Sequence, residues 1–514
     1  MFRLGLILAT ASFWFLIQYH SIGLDLSPDS SHYLAMAMDV LRDGPRAIHF
    51  ENWPPGYPMF LGYTARVFHL SLWEAANILQ AASWAILWAS LCWCSRRSWV
   101  TGLFAVLVSG LFMSHLMISS GVATHLWSEG PFVALVSLGL CALVRFRSAR
   151  RASTALGWAA LCFALSWTVR FIGILSLPLF CLSCFVVIVS DFRYFLRCLF
   201  VSFFHILTAL GVVGYTLWLN KVRFGYWIWS GHRPGHRAFM DSLHDFWTTG
   251  TSLTFPAGFH LGWVTGFLGV CLLLIGLMEV FSETRRLRSA RWPLEWGIWS
   301  LGYSVAIAYL MTKYDIYGME RFVVPALVPL IMGVTWMLAS SRSFWIRTVF
   351  VGLCISNYSL GLSREIVREW ESRTTLLTET ISPLYHEARF RKDPSFVQLK
   401  NYFDGKNEVF WIGRDTEFTG QIISGLFPCK PFYLMNRLEG LSTLVPAGTL
   451  SLISDASPAE LSIHLSPQIK IEKIDRIAGL TIAQVSSKKT SKADLSSPLR
   501  SFGSPFTRGG PCGR

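Results

Sequence analysis

From Arg3 to about Leu362 the chain returns repeatedly to apolar runs of roughly 18 to 22 residues, each long enough as a helix to cross a hydrocarbon core of about 30 Å. No single soluble fold can hide that much apolar surface. With 52% hydrophobic and only 15% charged residues, the chain has the composition of a membrane protein. The runs fall at 3–22, 72–93, 98–118, 127–145, 153–169, 171–190, 198–219, 260–281, 293–312, 322–340 and 344–362. The expected fold class is therefore mainly α: a polytopic membrane protein of about 11 transmembrane helices with a small C-terminal α/β extramembrane domain.

Arginines mark one side of this topology. Alternate loops place Arg3, Arg96 with Arg97, the Arg145–Arg151 group, Arg193 with Arg197, Arg285–Arg291, and Arg342 with Arg347 on one face. By the positive-inside rule that face is cytoplasmic. The formal net charge of +14 is then a topology signal with some attraction to anionic membrane lipids, and no nucleic-acid partner is expected. The run Leu4–Ile17 resembles a signal peptide but is followed by no small-x-small cleavage site, so it is expected to stay as a first helix with a cytoplasmic N-terminus. Nine of the 11 cysteines lie in or beside apolar runs and are expected to pack, including the C-x-x-C pair Cys181 and Cys184.

The first loop, 23–71, lies on the other face and is polar, acidic and rich in proline. Pro28 after Ser27 opens a short expected helix with Tyr33, Ala37, Val40 and Leu41 on one side. Pro54, Pro55 and Pro58 are expected to forbid regular helix and to form a rigid turn back over the membrane. The loop 220–259, rich in Trp, His and Arg, is expected to lie along the interface. Beyond residue 362 the charge rises. Strands are expected at 408–413, 432–435, 449–453 and 480–485 in a domain spanning 363–485, ahead of a disordered tail 486–514.

Ionisable groups beside apolar segments are costly and so point to chemistry. A carboxylate at Asp29 can serve as general base or bind a divalent metal ion; the alternative is an N-terminal helix cap. Glu129, in WSEGPF, opens an apolar run where a helix N-terminus also tolerates an acid. Arg170, between two apolar segments, calls for an anion such as phosphate or carboxylate. Arg321 can hold a lipid phosphate in a bidentate grip or pair with its neighbour Glu320. His32, His49, His232 and His236 lack ligand spacing.

Six segments in order, DSSHY (29–33), RDG (42–44), WPPGYP (53–58), SEGPF (128–132), TVRFIG (168–173) and ERFVVPALVP (320–329), resemble the signatures of GT-C membrane glycosyltransferases. The branch is that of protein O-mannosyltransferases and bacterial aminoarabinose transferases, and the resemblance spans residues 1–362. It implies transfer of a hexosyl or pentosyl group, usually with inversion, from a polyprenyl-phosphate sugar to a lipid, glycan or protein acceptor at the non-cytoplasmic face; a bacterial inner membrane is expected from the compact loops and the absence of a eukaryotic retention signal. It implies Asp29 as base or acceptor-orienting acid, with Glu129 assisting. Arg170 and Arg321 would bind the donor phosphate, and Tyr33, Trp53, Pro54, Pro55, Tyr57 and Glu320 would shape the substrate site. Ser30 stands where mannosyltransferases commonly carry a second acid, and Trp53 where many relatives have His, which leaves metal need and sugar identity open. Two other readings are a transporter or flippase of a lipid-linked sugar, for which the expected internal repeat is missing, and a non-catalytic membrane scaffold.

Overall fold

A computed structural model describes residues 2–19, 24, 28–44, 54–94, 99–123, 125–148, 152–190, 195–209, 211, 214–224, 237–254, 294–313, 319–340, 409–412, 432–435, 448–454, 457–459, 469–477 and 480–487. The helices are α1 (Phe2–Tyr19), α2 (Pro28–Asp43), α3 (Gly56–Phe68), α4 (Leu72–Cys94), α5 (Trp99–Ser119), α6 (Glu129–Ser148) and α7 (Ala152–Val169). A 3-10 turn, Phe171–Leu175, leads into α8 (Ser176–Ser190), followed by α9 (Phe195–Ala209), α10 (Tyr215–Phe224), α11 (Phe239–Thr254), α12 (Leu294–Lys313) and α13 (Met319–Ser340). Most of the expected spans coincide with these helices, and 198–219 divides between α9 and α10. The spans 260–281 and 344–362 lie outside the described residues.

Among the described residues Leu72–Cys94 and Glu129–Phe146 are long and apolar enough to cross a membrane, while Leu4–Ile17, Ala105–Ile118, Thr154–Val169 and Phe171–Phe185 form shorter apolar helices. Helix α9 leaves Leu196, Leu199, Phe200, Phe203, Phe204 and Leu207 exposed, and α1 leaves Leu6, Ile7 and Trp14 exposed. Surfaces this apolar are costly in water and natural against lipid.

The chain divides into two compact units. One comprises Met1–Ile17, Asn52–Tyr57 and Ile78–Glu371; the other comprises Gln18–Glu51, Pro58–Asn77 and Ser372–Arg514.

In the first unit small residues let helices approach closely. A Cβ on Gly139 of α6 would come within 2.5 Å of the Phe163 ring on α7, and one on Gly5 of α1 within 2.9 Å of Cys92 on α4. Helix α13 carries two internal prolines, Pro325 and Pro329. Pro329 has no N–H to offer the carbonyl one turn earlier, at Pro325. The Trp299 indole of α12 donates to that carbonyl instead (2.9 Å), and the Ser300 hydroxyl donates to the next one, at Ala326 (2.8 Å). Backbone groups freed by proline inside an apolar bundle are thus satisfied by a neighbouring helix.

The second unit contains two departures from expectation. The stripe Tyr33, Ala37 and Val40 is buried on α2 as expected, and Gly44, with φ of 77°, ends that helix in the left-handed conformation its N–H bond to Val40 needs. The segment after Pro55, expected to be a rigid non-helical turn, is instead the start of helix α3. Pro58 is tolerated because it falls in the first turn, where backbone N–H groups have no intrahelical acceptor. Gly62 of α3 lies against Val40 and the Ala37 carbonyl, too close for a side chain. Helix α4 begins with a capping box: the Ser71 N–H donates to Glu74 (2.8 Å), whose own N–H donates to the Ser71 hydroxyl (3.3 Å).

The sheet of this unit has strand order β2-β1-β3-β5-β4, from β1 (Val409–Ile412), β2 (Phe432–Met435), β3 (Gly448–Ser454), β4 (Ile469–Ile477) and β5 (Leu480–Ser487). β1 lies parallel between β2 and β3, and β5 lies antiparallel between β3 and β4. Four strands match expectation; β4 was missed. Its charged residues, Lys470, Glu472, Lys473, Asp475 and Arg476, hide an alternating pattern that a register shift between Ile471 and Lys473 interrupts. A charged strand is well suited to the edge of a sheet, where it discourages further pairing.

The expected interfacial loop 220–259 contains a helix in its second half. Helix α11 buries Ser242, Phe246 and Trp247, and packs so tightly on α13 that a Cβ on Gly250 would meet Val323 at 3.0 Å. Residues 225–236 lie outside the described residues.

Candidate active site

Three of the residues expected from sequence converge in the first unit. Glu129, the first residue of α6, is 1% exposed. Its Oε1 lies 2.5 Å from Arg170 Nη1 and 3.7 Å from Arg321 Nε, and both arginine side chains are 18% exposed. One buried carboxylate between two partly open guanidinium groups leaves a net charge of +1. The carboxylate also sits in the first turn of α6, at the end of the helix dipole that attracts negative charge.

Each arginine is held by its local backbone. At the end of α7 the chain leaves the helix, and Arg170 is extended (φ −148°, ψ 128°) before the 3-10 turn begins. The Trp167 indole clamps this bend, donating to the Gly173 carbonyl and to the Ser176 hydroxyl (2.8 Å). Arg170 Nη1 lies 3.4 Å from the hydroxyl of Ser128, the residue before α6, as hydrogen-bond donor. Its guanidinium carbon is 5.2 Å from the Phe322 ring centroid. Arg321, in the first turn of α13, lies 4.8 Å from the same ring and 5.1 Å from that of Trp127. Stacking on aromatic faces suits a planar, weakly hydrated guanidinium.

The loop before α6 is equally fixed. The Gln80 amide of α4 donates to the carbonyls of His125 (3.1 Å) and Trp127 (2.8 Å). The His125 and Trp127 rings stack at 4.2 Å, and Gly121, with φ of 74°, allows the turn beneath them.

Pro54, Pro55 and Tyr57 are buried. A Cβ on Gly56 would lie 2.6 Å from the Thr168 carbonyl carbon and 2.7 Å from its oxygen, so Gly56 rests directly on the bend that aims Arg170. Gly56→Ala must displace that backbone. We expect it to cost about 3 kcal/mol, at the upper end for overpacking, measured as reduced thermal stability of the detergent-solubilised protein.

The remaining expected residues fall elsewhere. Asp29, half-buried, and Tyr33, buried, lie on α2 in the second unit. Asp29 is the second residue of its helix, after Pro28 at the first position, and so lies inside the first turn instead of before it. Trp53 is outside the described residues. Glu320 is exposed, and the carboxylate brought near Arg321 is Glu129, from a distant part of the chain. Among the described residues no three His, Cys, Asp or Glu side chains form a metal-holding group.

Several contributors were not foreseen. Trp127 and Phe322 directly adjoin expected residues and were within reach of the sequence. Tyr303 of α12 was not: it is a single hydroxyl in an apolar run. Its ring packs against Phe132 (6.4 Å) and Trp299 (6.0 Å), and Phe132 lies one turn along α6 from Glu129.

No protein-family model and no curated protein matches the sequence. In structure, the chain is similar to ArnT, the aminoarabinose transferase, from Cupriavidus metallidurans bound to undecaprenyl phosphate. The TM-score is 0.58 at 13% identity, over 94% of this chain and 97% of that one. ArnT from the same organism in the apo state gives 0.58 and 13% over 93% and 97%. For the archaeal oligosaccharyltransferase AglB from Archaeoglobus fulgidus, in complex with an inhibitory peptide and a dolichol-phosphate, the TM-score is 0.44 at 9% identity over 84% and 66%, too slight a likeness to bear weight. Identities this low establish a shared fold.

Proposed function

We propose that the protein is an integral-membrane glycosyltransferase that moves a sugar from a polyprenyl-phosphate donor to an acceptor at the non-cytoplasmic membrane face. The observation that carries this reading is the Glu129, Arg170 and Arg321 cluster, with its net charge of +1 and both guanidinium groups part-exposed. A polyprenyl-phosphate sugar is a phosphodiester with one negative charge. When its sugar–oxygen bond breaks, the leaving phosphate monoester gains a second charge. Fixed guanidinium groups stabilise that developing charge more than the ground state, which is what lowers a barrier. Glu129 supports both arginines and sets their spacing.

Asp29 is the proposed base, taking the proton of an acceptor hydroxyl or amine as it attacks the sugar carbon. Its support is the ordered DSSHY motif and a position in the first turn of α2, where the helix dipole attracts negative charge. The ArnT structure bound to undecaprenyl phosphate makes that lipid the natural probe. The bacterial inner membrane, an inverting outcome, a domain boundary near residue 362 and an extramembrane C-terminal sheet belong to the same reading.

The test is to incubate purified protein with polyprenyl-phosphate sugars and follow release of polyprenyl phosphate together with acceptor glycosylation. Sugar-dependent release supports the reading, and no release from a panel of hexosyl and pentosyl donors overturns it. Arg321→Ala is expected to weaken undecaprenyl phosphate binding about 100-fold, as loss of a charge-assisted contact, measured by lipid titration of intrinsic tryptophan fluorescence.

A further inference from the structure

We infer that the Tyr303 hydroxyl is a hydrogen-bond donor to the phosphate of the donor lipid, a neutral third arm beside the two arginines. Tyr303 is 1% exposed, and its hydroxyl oxygen is buried with no hydrogen-bond partner among the described residues. Such an arrangement is costly, and buried tyrosine hydroxyls ordinarily find a partner. Packing explains the ring but not the oxygen: Phe132 and Trp299 hold the ring on its apolar sides, and phenylalanine would serve them equally well. The Tyr303 ring lies 6.4 Å from that of Phe132, which is one turn along α6 from Glu129. A ligand that brings an acceptor to this cluster therefore satisfies the phenol at the same time.

The chemistry selects a phosphate oxygen. A cation would be repelled by the net positive charge, and a neutral alcohol would offer no anion for the arginines. A phosphate monoester or diester carries several acceptor oxygens, enough for two guanidinium groups and one phenol. Because the phenol is neutral, it adds a contact without adding charge, and product release is not slowed by a third cation.

This inference rests on the donor-site reading above and is separable from it. The experiment compares binding of undecaprenyl phosphate and of undecaprenol to wild type and Tyr303→Phe, with thermal stability measured without lipid. Wild type is expected to prefer the phosphate. Tyr303→Phe is expected to lose about 10-fold in phosphate affinity, as for one hydrogen bond to a charged group. Its undecaprenol affinity should not change, and its lipid-free stability should be equal or higher because an unsatisfied hydroxyl has been removed. In turnover the loss should appear in KM for the lipid donor. Unchanged phosphate affinity in Tyr303→Phe overturns the inference while leaving the donor site intact. Equal loss for both lipids, or a loss that follows falling stability, assigns Tyr303 a structural role and also overturns it. A wild type that does not distinguish phosphate from alcohol overturns both readings at once.

Discussion

Glu129→Gln is expected to be the most damaging single change in the first unit. It removes the carboxylate that, among the described residues, two guanidinium groups approach at 2.5 and 3.7 Å. Breaking a buried pair by deleting one partner typically costs about 3 to 5 kcal/mol, because the other charge stays buried and uncompensated. Here two charges are left facing each other, partly relieved by their 18% exposure. Sugar transfer should fall at least about 100-fold as the arginines separate. Glu129→Gln with Arg170→Gln restores the charge balance and should regain part of the stability while remaining inactive. A thermal-unfolding and turnover series over the two single variants and the double variant measures this directly; additive stability losses would show that the groups are not coupled.

Asp29→Asn is expected to have the largest effect on chemistry alone. Asparagine keeps the shape and the first-turn position on α2 but cannot accept a proton, so transfer should fall by about 100- to 10,000-fold, the range for a lost general base. Expression, membrane insertion and undecaprenyl phosphate affinity should stay near wild type. Full transfer activity in this variant would remove Asp29 from the mechanism. Activity lost together with lipid binding would give it a structural part.

The sequence made the helices readable because length in hydrocarbon is a one-dimensional property: a run either spans about 30 Å or it does not. It also exposed Glu129, Arg170 and Arg321, since a charge beside apolar residues is conspicuous wherever it lies. Their convergence was not readable, because residues 129, 170 and 321 share no local pattern. For the same reason Arg321 was offered only its sequence neighbour Glu320 or a lipid phosphate as partner. Helix α3 was lost to a rule applied too broadly, proline being a breaker inside a helix but acceptable in its first turn. Tyr303 escaped notice because only a neighbouring helix can show that a phenol has no partner.

The indole of Trp299 that covers the Pro325 carbonyl has a mechanical consequence. Two prolines would ordinarily make α13 a hinge, free to swing its first turn and Arg321 with it. The bond leaves Trp299 on α12 one turn from Tyr303, and it is received on α13 one turn from Arg321. The two helices are therefore pinned beside their functional ends, and the cation and the phenol keep a constant separation as the protein breathes. A lipid headgroup bound as proposed would spend little of its binding energy on drawing the two helices together.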